Sequence, residues 1–347
     1  MLALALLLTV HIAPPATETP NRQPHLATRG GNVAVAYGAG NAIYFAASKD
    51  AGTAFGPPVL VSSQGQLSLG MHRGPRVAYT PDGIVISAIV GEQGRGKDGD
   101  VLAWRSTDGG KSWSEPVRVN DVPGSAREGL HAMAFGGRDT LVAAWLDLRE
   151  KGTRIYGAVS RDGGRSWSPN RLVYESPSGT VCQCCHPSVA VSASGVIFVM
   201  FRNSLDGSRD LYLTRSEDGG KTFGEAKRVG LGTWKLEGCP MDGGSVALDD
   251  LGDVATIWRR DQTVFVTNGD RSERAMGVGR NPTGVSARSG LFAAWSQGSS
   301  LVVWKPGAAQ PEVLDEDGAF PSMGALSDAS VAVAWESKGE IVIRAVR

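Results

Sequence analysis

The residues of this chain best equipped for chemistry fall in two short stretches, Cys182-Gln183-Cys184-Cys185-His186 and Cys239-Pro240-Met241-Asp242, which hold all 4 cysteines of the 347-residue chain. Thiolate, imidazole and thioether together form a soft donor set that selects copper first and zinc second. The candidate metal ligands are therefore Cys182, Cys184, Cys185, His186, Cys239 and Met241, with His72 and His131 as imidazoles from elsewhere in the chain. The spacing Cys-x-Cys-Cys-His followed by a distant Cys-Pro-Met is not one of the recurrent zinc patterns. A second chemistry is open to the same sulfurs. In an exported protein Cys182 and Cys239 are the best-placed bridging pair, which leaves Cys184 and Cys185 as free thiols or a vicinal bridge.

A repeat in the chain is one way to bring stretches this far apart together. The octapeptide Ser160-Arg161-Asp162-Gly163-Gly164-Arg165-Ser166-Trp167 recurs as Ser106-Thr107-Asp108-Gly109-Gly110-Lys111-Ser112-Trp113 and as Ser216-Glu217-Asp218-Gly219-Gly220-Lys221-Thr222-Phe223. A worn copy reads Ser48-Lys49-Asp50-Ala51-Gly52-Thr53-Ala54-Phe55. The copies begin at 48, 106, 160 and 216, steps of 58, 54 and 56, and a period of that size marks a propeller or a solenoid. Asp before Gly-Gly is turn chemistry, because the carboxylate accepts the N–H groups just ahead and glycine supplies positive φ. The closing aromatic pins the turn to its sheet. Gly110-Lys111-Ser112 ends like a phosphate-binding loop, but the glycine that motif needs five residues earlier is Arg105, so no nucleotide cofactor is expected.

This box resembles the Asp-box of the bacterial neuraminidase repeat, and the chain is identified as a member of the sialidase/neuraminidase superfamily. The resemblance implies an all-β fold, a β-propeller, with Asp50, Asp108, Asp162 and Asp218 at the rim away from the active-site face. For a sialidase it implies three arginines on the substrate carboxylate, a tyrosine nucleophile paired with a glutamate, and an aspartate as acid/base. The tyrosines here are Tyr37, Tyr44, Tyr79, Tyr156, Tyr174 and Tyr212, none in a late repeat, and Arg73-Gly74-Pro75-Arg76 is the nearest string to the family's Arg-Ile-Pro. Without that tyrosine the covalent route is missing. A non-sialidase member is therefore expected. Another glycoside or polysaccharide chemistry, and a purely glycan-binding or scaffolding role, stay open, because fold alone does not fix function.

Innermost strands align on a small residue after an apolar one: Ala27, Ala78, Ala134, Ala190, Ala247, Ser286 and Ala325, in steps of 51, 56, 56, 57, 39 and 39. Seven blades are expected from these steps, with the six of sialidases as the alternative. The segments leading into these strands converge at one face of a propeller, where ligand sites collect. Cys182 and Cys239 each stand eight before their anchors, and His72, Glu128, Cys184, Met241 and Arg280 each stand six before, so all face one another around the axis. The candidate catalytic or carboxylate-clamping groups are Arg76, Glu128, Asp147, Arg202, Arg260 and Arg280. Asp147, Arg202 and Arg260 lie where second strands end.

Lys+Arg and Asp+Glu both number 35, so no net field draws nucleic acid or an anionic membrane surface. The run Leu2–Val10 suits a signal-peptide core and is too short to span a bilayer. Residues 1–17 are expected to be a secretory signal, leaving 18–347 as one propeller domain in a secreted or periplasmic protein. The last repeat shows three strands, and a segment near Thr17–Gln23 is expected to complete it.

Overall fold

The computed structural model describes residues 9–268 and 272–347, which form strands and turns with no helix. The expected signal segment falls partly on residues 1–8, outside the described residues. Seven antiparallel sheets are built in chain order. Blade 1 comprises Asn21–Arg29, Asn32–Ala39, Ala42–Ser48 and Val59–Ser62. Blade 2 has Arg76–Thr80, Gly83–Gly91, Asp100–Ser106 and Val117–Arg118, and blade 3 has His131–Gly136, Thr140–Asp147, Arg154–Ser160 and Arg171–Tyr174. Blade 4 is Ser188–Val191, Ile197–Arg202, Leu211–Ser216 and Lys227–Arg228; blade 5 is Gly244–Leu248, Val254–Arg260, Thr263–Asn268 and Glu273–Val278. Blade 6 is Arg280–Ala287, Gly290–Gln297, Ser300–Trp304 and Glu312–Asp315. Blade 7 takes Gly318–Ala325, Val331–Ser337 and Glu340–Val346 from the end of the chain and Thr9–Ile12 from its start. Each innermost strand touches the next, blade 7 against blade 1 included, so the ring of seven closes.

Closure differs from the sequence expectation. The fourth strand of blade 7 is Thr9–Ile12, paired from Thr9↔Arg344 to Ile12↔Ile341, and not a segment near Thr17–Gln23. Asn21–Arg29 is already spent as the innermost strand of blade 1. Ile12 is buried in one cluster with Leu326 and Ile341, which explains its selection.

Second strands carry the core. Each is sandwiched between neighbouring blades, so both of its faces must be apolar, and Thr140–Asp147 is buried at every position. Tyr37, Trp145, Phe201, Trp295 and Trp335 are almost completely buried at the ends of these strands.

The octapeptides close the third-to-fourth strand turns. In blade 2 the Ser106 hydroxyl donates to Asp108 Oδ1 at 2.8 Å and accepts Gly110 N–H at 2.7 Å. Asp108 also accepts Ser112 N–H at 3.0 Å and the Ser112 hydroxyl at 2.6 Å. The same set recurs around Asp162 and Asp218. The worn copy keeps the Asp50 bonds to Ser48 and Ala54. The second glycine does more than turn. Gly110, Gly164 and Gly220 have φ of 91°, 82° and 88°, and a Cβ there meets Phe45, Val85 and Val159 of the preceding blade at 2.0, 3.2 and 2.7 Å. Each box thus docks on its neighbour, and none of the four aspartates lines the axial channel.

Innermost strands open with a repeated device, X-Pro, seen as Gln23-Pro24, Gly74-Pro75, His186-Pro187, Asn281-Pro282 and Phe320-Pro321. Gln23, Asn281 and Phe320 all take φ between 52° and 55°. In blades 1, 6 and 7 the pairing register shifts at this point. The shift moves the true anchors of blades 6 and 7 to Val285 and Gly324, one residue before those read from the sequence. The residue after the device then forms a ring: His25, Arg76, Ser188, Thr283 and Ser322, with Ala132 and Ser245 in the two blades that lack the proline. Hydrogen bonds tie ring members to the next blade. Ser322 Oγ accepts Leu26 N–H, His25 Nδ1 accepts Val77 N–H and Ser188 Oγ accepts Val246 N–H, at 2.9, 3.2 and 3.1 Å.

Candidate metal centre

Blade 4 leads into its innermost strand through Val181–Pro187. Val181 N–H donates to Thr153 O and Cys182 N–H to Arg202 O, which fixes the start of the segment. The segment then doubles back. Cys182, Cys184 and Cys185 are all buried, with Sγ separations of 3.6 Å (182 to 184), 3.3 Å (182 to 185) and 3.9 Å (184 to 185). These three sulfurs form the one close group of metal-binding side chains among the described residues. Met241 packs against them from blade 5.

Blade 5 delivers Met241 through a buried ion cluster. Asp242 lies between Arg202, at 3.2 Å, and Arg259, at 2.8 Å, and also accepts Asn281 N–H. Arg202 Nε reaches back to Asp242 O, and Arg259 Nη2 holds Pro240 O at 2.8 Å. Burial pushes the Asp242 carboxyl up, against the pull of both arginines. Met241 itself is held at φ 62°, a strained conformation for a residue with a side chain. Arg202 was expected to clamp a ligand carboxylate. Its guanidinium is instead used on Asp242 and on the Arg209 and Arg259 carbonyls, so it positions the blade 5 lead-in.

Cys239 is exposed and lies within hydrogen-bonding reach of Cys184, a contact that together with burial pushes its thiol up to about 11. The sequence paired Cys239 with Cys182; its neighbour is Cys184. Within the triad, hydrogen bonding shared with Cys184 and Cys185 holds the Cys182 thiol well below the usual range. Burial and the same sharing push Cys185 up. Glu128 is half-buried beside Cys184; burial raises its carboxyl while Arg73 and Arg127 pull it down.

The imidazoles are placed apart from the sulfurs. The innermost strand of blade 2 is interrupted: Gln66–Leu67 pairs with Val90 and Gly91, Arg76–Thr80 pairs with Gly83–Ser87, and the loop between them brings His72 to the axial channel. His72 stacks on His186 and meets Phe320 in a T-shaped contact, with ring centroids 4.2 and 5.1 Å apart, and its Nε2 meets Asn281 Oδ1 at 2.9 Å. Blades 2, 4, 6 and 7 are thereby joined across one mouth of the ring. His186 Nδ1 accepts Gly243 N–H at 3.1 Å. His131 is buried behind Arg76, with Nε2 against Ser87 Oγ at 3.0 Å. Neither His72, His131 nor His186 belongs to the sulfur group.

The remaining candidates are dispersed. Asp147 is buried and accepts Trp145 Nε1, the Ser125 hydroxyl and three N–H groups of Arg149, a fully engaged structural carboxylate. Arg260 pairs with Glu273 at 2.6 and 2.9 Å and stacks on Phe265. Arg280 is exposed at the start of blade 6, and the corrected anchor takes it out of the His72 register. Arg76 remains on the axis. Sequence reasoning missed Asp242 as the counter-ion of two arginines, and it missed Asn281 and Phe320, which the repeated X-Pro pairs signal.

A family model described as "BNR repeat-like domain" matches residues 38–306. No curated protein matches the chain. Among solved structures, a protein of unknown function from Dyadobacter fermentans superposes with a TM-score of 0.57 at 17% identity, covering 97% of each chain. An α-L-arabinanase from Penicillium chrysogenum, complexed with arabinobiose, gives 0.56 at 14% identity over 98% of each chain. A polysaccharide lyase described as an ulvan lyase gives 0.57 at 12% identity over 96% of this chain and 95% of its own.

Proposed function

The chain belongs to the BNR repeat-like domain family, a group of sialidase-like propellers, and on that premise we propose that it is an exported member that binds one soft metal ion, copper before zinc. The observation that carries the reading is the spacing of three buried sulfurs. A metal ~2.3 Å from each of its thiolates sets neighbouring sulfurs roughly 3.8 Å apart in a tetrahedral shell, and the separations here run from 3.3 to 3.9 Å. A disulfide needs about 2.05 Å. Cys182, Cys184 and Cys185 supply the thiolates. The Met241 thioether or the Cys239 thiol completes the shell, a soft set suited to copper in its reduced state.

The test is elemental analysis and thiol counting on one sample purified without chelator. The reading expects close to one equivalent of copper or zinc, loss of retention on acidification because protons compete for the thiolates, and four alkylatable thiols once the metal is removed and the chain denatured. Metal-free protein with bridged cysteines overturns it. Sequencing the amino terminus of exported material tests the export clause. Cleavage beyond Ile12 removes the closing strand and predicts an open ring.

A second reading, glycan binding on the same face, is supported by the half-buried Trp234, whose ring lies 5.3 Å from Arg202 and 5.1 Å from Arg259. The arabinanase neighbour was solved with a bound disaccharide. Glycan-array screening separates this reading from the first.

A further inference from the structure

The ring axis encloses a channel of about 650 Å³. Arg76 and Arg29 border it, together with His25, His72 and His186, and among the described residues no aspartate or glutamate does. A chain with balanced charge thus lines its axis with arginines, imidazoles, neutral polar groups and apolar side chains, without an anionic side chain among the described residues. Arg76 is nine-tenths buried. It spends three N–H groups on the carbonyls of His72, Gly74 and Pro75, which leaves two of the five guanidinium N–H groups uncommitted. Among the described residues no carboxylate is paired with it, and a buried charge without a counter-charge is costly.

The neighbouring groups point the same way. His25 Nδ1 accepts Val77 N–H and His186 Nδ1 accepts Gly243 N–H, so each neutral ring carries its proton on Nε2 and offers a donor. The Ser188 and Ser322 oxygens accept backbone N–H groups, which leaves their hydroxyl protons free to donate. Beyond this ring the wall turns to Ala27, Ala78, Ala134 and Val285. At the far end the channel reaches the exposed Arg29 and Pro81, on the side opposite the His72 and His186 stack.

We propose that the axial channel binds a short aliphatic carboxylate, its head on the free edge of Arg76 and its tail along the alanine-lined wall. The guanidinium edge matches a carboxylate in bidentate fashion. One fixed cation matches one negative charge, and the apolar wall disfavours a strongly hydrated dianion. The site is independent of the sulfur cluster and lies below the stacked histidines.

The test is calorimetric titration and thermal melting of the full chain with acetate, propionate and butyrate, against chloride and phosphate at matched ionic strength. Saturable binding that tightens from acetate to butyrate is expected, with no saturable response to chloride or phosphate. Arg76→Gln should weaken butyrate by roughly 10- to 100-fold, the loss of a hydrogen bond to a charged group. Ala132→Asp places a carboxylate in the neighbouring ring position and supplies the missing counter-charge; it should abolish the butyrate response while melting at or above the parent temperature. Equal saturation by chloride, no saturable carboxylate binding, or unchanged butyrate affinity in a folded Ala132→Asp protein overturns the proposal.

Discussion

His72 lies nearly flat on His186, ring centroids 4.2 Å apart and planes 26° from parallel, although the two residues come from blades 2 and 4. Stacked, buried imidazoles beside Arg76 disfavour a second, charging proton. Burial, opposed by the bond to Asn281, brings His72 down to about 4, and burial with Arg76 brings His25 down to about 3.

A pH dependence follows from these two histidines. Both titrate near 6.5 when unfolded and much lower when folded, so below that value the unfolded chain binds more protons. Their stabilising contribution is complete above about pH 6.5 and is lost as pH falls toward 4 and then 3. Urea midpoints should fall progressively over that window, and His72→Phe, which keeps the stack without a titrating nitrogen, should flatten part of the slope. A midpoint independent of pH between 6.5 and 4 contradicts this.

Asp242 is the keystone of the blade 5 lead-in. Asp242→Asn leaves Arg202 and Arg259 buried beside an uncharged amide and should cost about 3–5 kcal/mol. Because Met241 and Cys239 hang on the same segment, metal retention should fall in parallel. Stability by chemical denaturation and metal content of the same preparation check both halves.

Asp162 accepts bonds at a turn remote from the channel. Burial raises its carboxyl, but the bonds from Ser166 and Ser160 bring it down to about 2. Asp162→Ala should destabilise by roughly 1–3 kcal/mol through the stranded donors, with metal and carboxylate binding unchanged. A selective loss of ligand binding at unaltered stability would place the box in the wrong role.

No sialic acid should be released from a fluorogenic sialoside. The tyrosines lie in blades 1 to 4, where Tyr174 accepts an Asn203 amide hydrogen at 2.9 Å, and blades 5 to 7 have none. Turnover above a heat-killed control refutes the assignment.

Much of the architecture is legible because the Asp-box is local chemistry: four residues of turn determine where a hairpin lies, and the interval between copies determines the blade. The clustering of Cys182, Cys184 and Met241 is legible for the same reason, since equivalent positions in successive repeats meet. What could not be read depends on partners distant in sequence. Nothing around Asp242 announces Arg202, 40 residues away, and nothing in Arg202 distinguishes a ligand clamp from a buried strut. His131 precedes the axial ring by one position, a difference that sends it behind Arg76 instead of into the sulfur group. The extra residue in blades 6 and 7 displaced Arg280 from its presumed register. Val10 and Ile12 carry the composition of a leader and the alternation of a strand at once, and the pairing with Glu340–Val346 depends on an edge more than 300 residues away.

That edge sets the order of assembly. Every other hairpin joins residues close in sequence, whereas Thr9 must find Arg344 across nearly the whole chain. Loop-closure entropy makes this the slowest pairing to form. Blades 1 to 6 can therefore be complete while Glu340–Val346 still presents bare N–H and C=O groups, a ready template for another molecule. At high concentration the first strand of one copy can fill the gap in the next. Refolding yield should then fall with concentration, and the by-product should be a strand-exchanged dimer whose blades are individually native.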